Sequence, residues 1–162
     1  MDERKHVLSV LVENEPGVLS RVAGLFSGRG YNIESLSVAP TMDPSVSRMT
    51  IVTLANAADI EQIEKQLNKL INVIKLYDFE GKDYVGREMA LIKVKAKPEH
   101  RAEILRIVDI FRCKVVDVGP KHYIIEVTGD EQKMKAILGL LKPMGIKEIA
   151  KTGSIALYRE TD

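Results

Sequence analysis

The 162-residue chain has a single cysteine, no tryptophan, three phenylalanines and five tyrosines. One thiol, Cys113, excludes an intrachain disulfide framework and fits a reducing compartment. Arg112 and Lys114 flank it and would lower its pKa if they faced it, but a buried structural thiol is the preferred reading. No apolar run approaches the ~18–20 residues that a membrane helix needs. The opening Met1-Asp2-Glu3-Arg4-Lys5-His6 has acids where a secretory signal wants a basic region. The expectation is a cytoplasmic protein with no membrane partner. A net charge of either sign is also lacking: 24 Lys and Arg against 23 Asp and Glu leave +1, with no general pull towards nucleic acid. There is no Gly-Lys-Ser/Thr phosphate loop, and Gly24, Gly28 and Gly30 fall within and after a helix. A dinucleotide fingerprint needs them between strand and helix. His6, His100 and His122 lie far apart, with no i, i+4 pair and no acidic or cysteine ligands at metal spacing. Neither catalytic residues nor metal ligands are predicted.

What the chain does have is a division. Residues 1–80 carry 8 Lys and Arg against 11 Asp and Glu, net −3; residues 81–162 carry 16 against 12, net +4. Two halves of opposite sign suggest two units, each small enough to favour oligomerisation. In the first half, His6 to Val12 reads as a buried strand, and Leu19, Val22, Ala23 and Phe26 as one face of a helix, with Asn14 a possible cap. Strands follow at Tyr31 to Ala39 and Ser47 to Leu54. A helix capped by Asp59 and a strand from Val73 to Phe79 complete a β-α-β-β-α-β order. Glu80 to Arg87 reads as a short polar link. The pattern then recurs: a strand at Ala90 to Ala96, a helix with Ile104, Ile107, Val108 and Phe111 on one face, strands at Val115 to Val118 and Tyr123 to Val127. A helix capped by Asp130 and a last extended stretch from Gly145 to Tyr158, broken near Gly153, end the repeat. The predicted fold class is α+β, with two tandem ferredoxin-like βαββαβ domains: 1–80, a linker at 81–87, and 88–162.

An RNA-recognition domain has the same element order. It stacks bases on aromatic side chains of its central strands, and Ser47 to Leu54 has none. The loop Asn14-Glu15-Pro16-Gly17-Val18-Leu19 carries more. Free N–H groups at a helix N-terminus suit a carboxylate, Gly17 lets a ligand near the backbone, and the Asn14 amide both donates and accepts, as a zwitterionic amino acid requires. Val18 and Leu19 add apolar surface. A capped helix start with a turn glycine explains the same residues without a ligand.

The stretch Asn14-Glu15-x-Gly17-x-Leu19-x-Arg21-x-x-x-Leu25-Phe26 resembles the ACT domain, an amino-acid-binding regulatory module. Residues Arg29-Gly30-Tyr31-Asn32-Ile33-Glu34-Ser35-Leu36, Val38-Ala39-Pro40-Thr41, Ser47 to Ile51 and Gln62 to Leu67 are similar to the small-regulatory-subunit family of acetohydroxyacid synthase (acetolactate synthase). In the second half Arg87-Glu88, Glu103-Ile104, Ile110-Phe111-Arg112 and Val116-Asp117-Val118 continue the likeness, which covers nearly the whole chain. The resemblance implies an ACT-type first domain (1–80) and a second regulatory domain. It implies a non-catalytic subunit that activates the catalytic subunit of branched-chain amino acid biosynthesis and confers feedback inhibition by valine. Thiamine diphosphate, magnesium and FAD are expected in that catalytic subunit and no cofactor in this chain. It further implies a homodimer, paired through the ACT domains along the strand from Tyr31 to Ala39, with effector at the interface. Carried over by position, effector contacts fall on Asn14, Pro16, Gly17, Val18 and Leu19, joined by Asn32 and Ile33 of the paired copy. Pro16 is assigned loop stiffness alone, Ile33 packing on the effector side chain, and Ser20 a place at the rim. A free-standing amino-acid-sensing ACT regulator is the alternative, weakened by the absence of a helix-turn-helix segment. A phosphatase on the same scaffold would need an arginine-lined phosphate loop, which is lacking.

Overall fold

The structure, a computed structural model, describes residues 2–160. It divides into two compact units, one comprising residues up to Val85 together with the segment from Ser154, the other Gly86–Gly153.

The first unit alternates as its periodicity requires. Strand β1 (Arg4–Glu13) puts Leu8, Val10 and Val12 on one face, all essentially buried. Helix α1 (Val18–Gly28) covers that face with Val18, Val22 and Phe26, and α2 (Ala57–Lys69) with Ile60, Ile63 and Leu67. Both sets follow the three-to-four-residue spacing of one helical face. Strands β2 (Ile33–Pro40), β3 (Val46–Ala55) and β4 (Val73–Asp78) complete an antiparallel sheet ordered β2-β3-β1-β4. β2 and β4 are therefore its edges. Met49, Ile51 and Ala55 of β3 join the core between sheet and helices.

The second unit repeats this order with β5 (Tyr84–Lys95), α3 (Arg101–Ile110), β6 (Lys114–Val118), β7 (His122–Gly129), α4 (Glu131–Leu141) and β8 (Ile146–Lys151). Its sheet runs β6-β7-β5-β8, the same arrangement strand for strand. Ile92, Val94, Ile104, Ile125, Ile137 and Leu141 form its core. The repeat of tandem βαββαβ units is thus as the spacing predicts.

Boundaries differ in two places. The stretch 81–87, expected as a link, enters strand β5 at Tyr84. Phe79 just before it is buried and packs on Tyr84 and Tyr158, with ring centroids 5.0 and 4.7 Å away. The C-terminal segment, expected with the second domain, clusters with the first unit from Ser154 onward. Gly153 (φ +81°) breaks the extended stretch as predicted, and strand β9 (Ile155–Tyr158) then pairs with β5. Tyr158 donates its hydroxyl hydrogen to the Asp78 carbonyl at 2.9 Å. Buried aromatic surface outweighs the polar composition that suggested a free link. Caps differ too. Asn56, in the extended region, accepts from the Asp59 N–H at 2.8 Å and so caps α2 itself. Asp59, expected in that role, instead accepts the Tyr31 hydroxyl at 2.9 Å. Asp130 caps α4 as expected. Among the described residues no helix is long and apolar enough to cross a membrane.

Candidate functional site

β1 ends at Glu13, and the chain turns into α1 through residues 14–17. Asn14 fastens this loop to the β2–β3 hairpin. Its backbone N–H donates to the Ser45 carbonyl at 2.8 Å, and its side-chain amide donates to the Pro44 carbonyl at 2.9 Å. Asn14 does not cap α1: the cap position falls three residues on, and the Asn14 side chain is held against the hairpin. Gly17 occupies the cap position at φ +85°. Nothing lies within 4 Å of where a Cβ would stand. Backbone conformation, which L side chains adopt at a cost of about 1–2 kcal/mol, is what demands glycine here, and the space above it is open.

A glycine cap leaves α1 with no side-chain oxygen to receive its first N–H groups, and no acid stands in its first turn. The other helices are treated differently. Asn56 and Asp130 cap α2 and α4, and Asp59, Glu103 and Glu131 place a carboxylate in the first turns of α2, α3 and α4. Among the α-helices of the described residues, α1 is the one whose positive end has neither a side-chain cap nor an acid in the first turn. Of its first donors, the Val18 N–H approaches the Glu15 carbonyl at a long 3.4 Å. Leu19 is 45% exposed beside them, and Pro16 and Ser20 are exposed too. An exposed, pinned, positively polarised turn with one apolar neighbour can take a small carboxylate.

One expected residue behaves otherwise. Val18 is 2% exposed and belongs to the core, so its side chain cannot line a surface pocket; only its backbone remains available. Helical spacing puts it on the same face as Val22, which fixes it inward. Asn32 and Ile33 stand at the opposite end of the sheet. Ile33 pairs with Thr53, whose hydroxyl donates to the Asn32 carbonyl at 2.7 Å, whereas Pro40 at the Asn14 end pairs with Ser47. The eight residues of β2 separate the two groups by roughly 23 Å at the usual rise per residue. Ile33 is half-buried against its own core, and Asn32 is exposed. One chain brings Asn14, Pro16, Gly17 and Leu19 together but does not bring Asn32 and Ile33 to them.

The loop also has a support that local spacing did not indicate. Arg21, one turn into α1, donates to Oδ1 of the buried Asn72 at 2.6 Å. The Asn72 amide reaches Glu13 Oε2 at 3.3 Å, and its carbonyl accepts from the Glu13 N–H at 2.9 Å. These partners lie 51 and 59 residues apart in the chain, so only register reveals them.

At the other end of the sheet His6, Asp78 and Glu80 converge. Beside them, burial pushes the Glu64 carboxyl up to about 7, with Asp78 as neighbouring acceptor and charge next in effect, then the charges of Glu61 and Glu80. Cys113 lies in the turn before β6 and is half-buried; burial raises its thiol pKa and Lys133 lowers it less. A raised thiol pKa keeps it protonated, in keeping with the structural reading.

Two βαββαβ units in tandem, the first opened by a left-handed glycine at an uncapped helix, define a protein of tandem ACT-type domains. The family described as the AHAS small subunit-like ACT domain matches residues 8–75, and the family described as the small subunit of acetolactate synthase matches residues 87–160. An acetolactate synthase small subunit from Aquifex aeolicus is 54% identical over 159 residues, 97% of this chain and 82% of that protein. A probable acetolactate synthase small subunit from Archaeoglobus fulgidus is 52% identical over 155 residues, 96% of this chain and 97% of that one. The crystal structure of the small subunit from Thermotoga maritima superposes with a TM-score of 0.87 at 43% identity, covering 98% of this chain and 99% of that one. The chain belongs to the family of acetolactate synthase small subunits.

Proposed function

We propose that this chain is the non-catalytic regulatory subunit of an acetolactate synthase in branched-chain amino acid biosynthesis. It docks on a thiamine-diphosphate-dependent catalytic subunit, raises its activity, and makes it sensitive to valine bound where two first units pair. The observation that carries this reading is the start of α1: uncapped, acid-free, fastened by Asn14, and opened by Gly17 at φ +85°. The valine carboxylate lies on the amides following Gly17, and Asn14 orients the zwitterion. Leu19 supplies apolar contact.

The placement of Asn32 and Ile33 supports a two-copy site. β2 is a sheet edge, and an uncovered edge invites a second strand. Antiparallel pairing of two β2 edges about a two-fold axis sets the Asn32 end of one strand beside the Pro40 end of the other. That second end carries the hairpin to which Asn14 is fastened. Asn32 and Ile33 of the second copy then close the pocket that a single chain leaves half-built. Valine shifts the holoenzyme only by binding one arrangement of the pair better than another.

Acetolactate formation by the catalytic subunit, assayed with and without this chain and with and without valine, tests the proposal. Activation by the chain together with inhibition by valine only in its presence is expected. An unchanged rate in all four mixtures overturns it.

A further inference from the structure

Away from the Asn14 loop, the first unit gathers a second set of groups. Leu8 of β1 pairs with Asp78 of β4, and the antiparallel register continues to set His6 alongside Glu80. A histidine nitrogen and one carboxylate oxygen each from Asp78 and Glu80 lie within 4.8 Å of one another. His6 is 2% exposed, and its Nδ1 is buried without a hydrogen-bond partner. Yet Oε2 of Glu80 stands 3.1 Å from it. The carboxylate is near the nitrogen but off the direction in which a ring N–H would donate. A histidine nitrogen held out of water without a hydrogen bond is costly unless a third body meets it.

The spacing fits a metal ion. Nitrogen and oxygen ligands about 2.0–2.2 Å from one metal ion stand roughly 3.0–3.4 Å apart at tetrahedral or octahedral angles. The His6–Glu80 separation falls in that range. All three ligand atoms lie within 4.8 Å of one another, close to the roughly 4.4 Å that two ligands of one ion can span, and a small turn of the exposed Glu80 side chain draws the set together. Asp78 is already oriented, since its Oδ1 accepts the Glu80 N–H at 3.0 Å. Arg4, 3.5 Å from Oε1 of Glu80, is the cation an incoming ion would compete with.

We propose that His6, Asp78 and Glu80 form a binding site for one divalent transition-metal ion of the zinc or manganese class. An imidazole with two carboxylates suits such ions, whereas calcium and magnesium favour all-oxygen sets. Water fills the remaining positions. The ion ties the start of β1 to the segment that follows β4, so its role is to hold the first unit together.

The test uses the full chain, freed of metal by a chelator and titrated with zinc chloride in a calorimeter. One ion per chain with a dissociation constant of 10 μM or tighter is expected. Glu80→Gln, at an exposed position, should weaken uptake at least tenfold, while Glu148→Gln in the second unit should leave it unchanged. Imidazole ¹⁵N resonances distinguish the histidines: His6 should shift on zinc addition in step with the calorimetry. No uptake, equal uptake by the Glu80→Gln chain, or a shift confined to His100 and His122 overturns the proposal.

Discussion

The two units share one topology and start their first helices in opposite ways. In the first, Asn14 reaches the Pro44 carbonyl of the neighbouring hairpin with a short, neutral amide, and Gly17 leaves the helix end open. In the second, Arg101 makes the equivalent link with a long cation: Nε to the Ala96 carbonyl and Nη2 to the Pro120 carbonyl, both at 2.9 Å. Its helix starts from His100 in right-handed conformation (φ −107°), with Glu103 in the first turn. The second unit thus spends the same place on holding itself together, with a side chain bridging strand and hairpin and an acid facing the dipole. The difference teaches that one fold can leave its first helix open or closed. A left-handed glycine and the lack of a cap leave the first helix open.

Changes on the two sides should therefore separate binding from stability. The largest effect is expected for Gly17→Asp. Aspartate tolerates the left-handed region better than most residues, and the space above Gly17 is open, so the chain should fold. Its charge beside the effector carboxylate should abolish valine inhibition of the reconstituted holoenzyme or weaken it at least tenfold, read as the valine concentration for half-inhibition. Next comes Asn14→Ala. It should cost about 1.5 kcal/mol of valine binding, the low end for a hydrogen bond to a charged group, since the amide hydrogen already serves Pro44. Calorimetry showing unchanged affinity would remove Asn14 from the site.

Arg101→Ala is the counterpart in the second unit. It should lower unfolding stability by about 1 kcal/mol in urea titration and leave half-inhibition by valine where it was. A shift in valine response would break the contrast between the units. The smallest effects should come from the caps. Asn56→Ala in the first unit and Asp130→Ala in the second should each cost about 1 kcal/mol or less, equally in both. Equal losses would place the two scaffolds on a par and leave the α1 start as the point where they part.

Much of the fold was legible because its signals are local. Alternation in Ala90, Ile92 and Val94, and the spacing of Ile60, Ile63 and Leu67, name strands and helices from a few neighbouring residues. The Asn14 loop was legible as a place but not as a geometry. Asn14 reads as a cap because Asn favours caps, whereas the Pro44 carbonyl that holds its side chain is 30 residues away. Val18 was read as pocket surface because it adjoins Gly17, yet the helix it begins turns it inward. The stretch 81–87 reads as a free link because its partners, strand β9 and the Arg159 side chain on Asp83, lie at the far end of the chain. His6 seemed isolated for the same reason, since antiparallel register, not spacing, sets Glu80 beside it.

What the sequence determined by itself is the repeated βαββαβ order, the loop with its glycine, and the family likeness, because periodicity and short motifs are written within a few residues. What only the tertiary structure decided is which of those residues meet. The hairpin contact of Asn14, the roughly 23 Å between Gly17's end of the sheet and Asn32's, and the His6–Asp78–Glu80 grouping all follow from register and edge position. Those are set by the burial of whole faces, a property no single stretch of the chain contains.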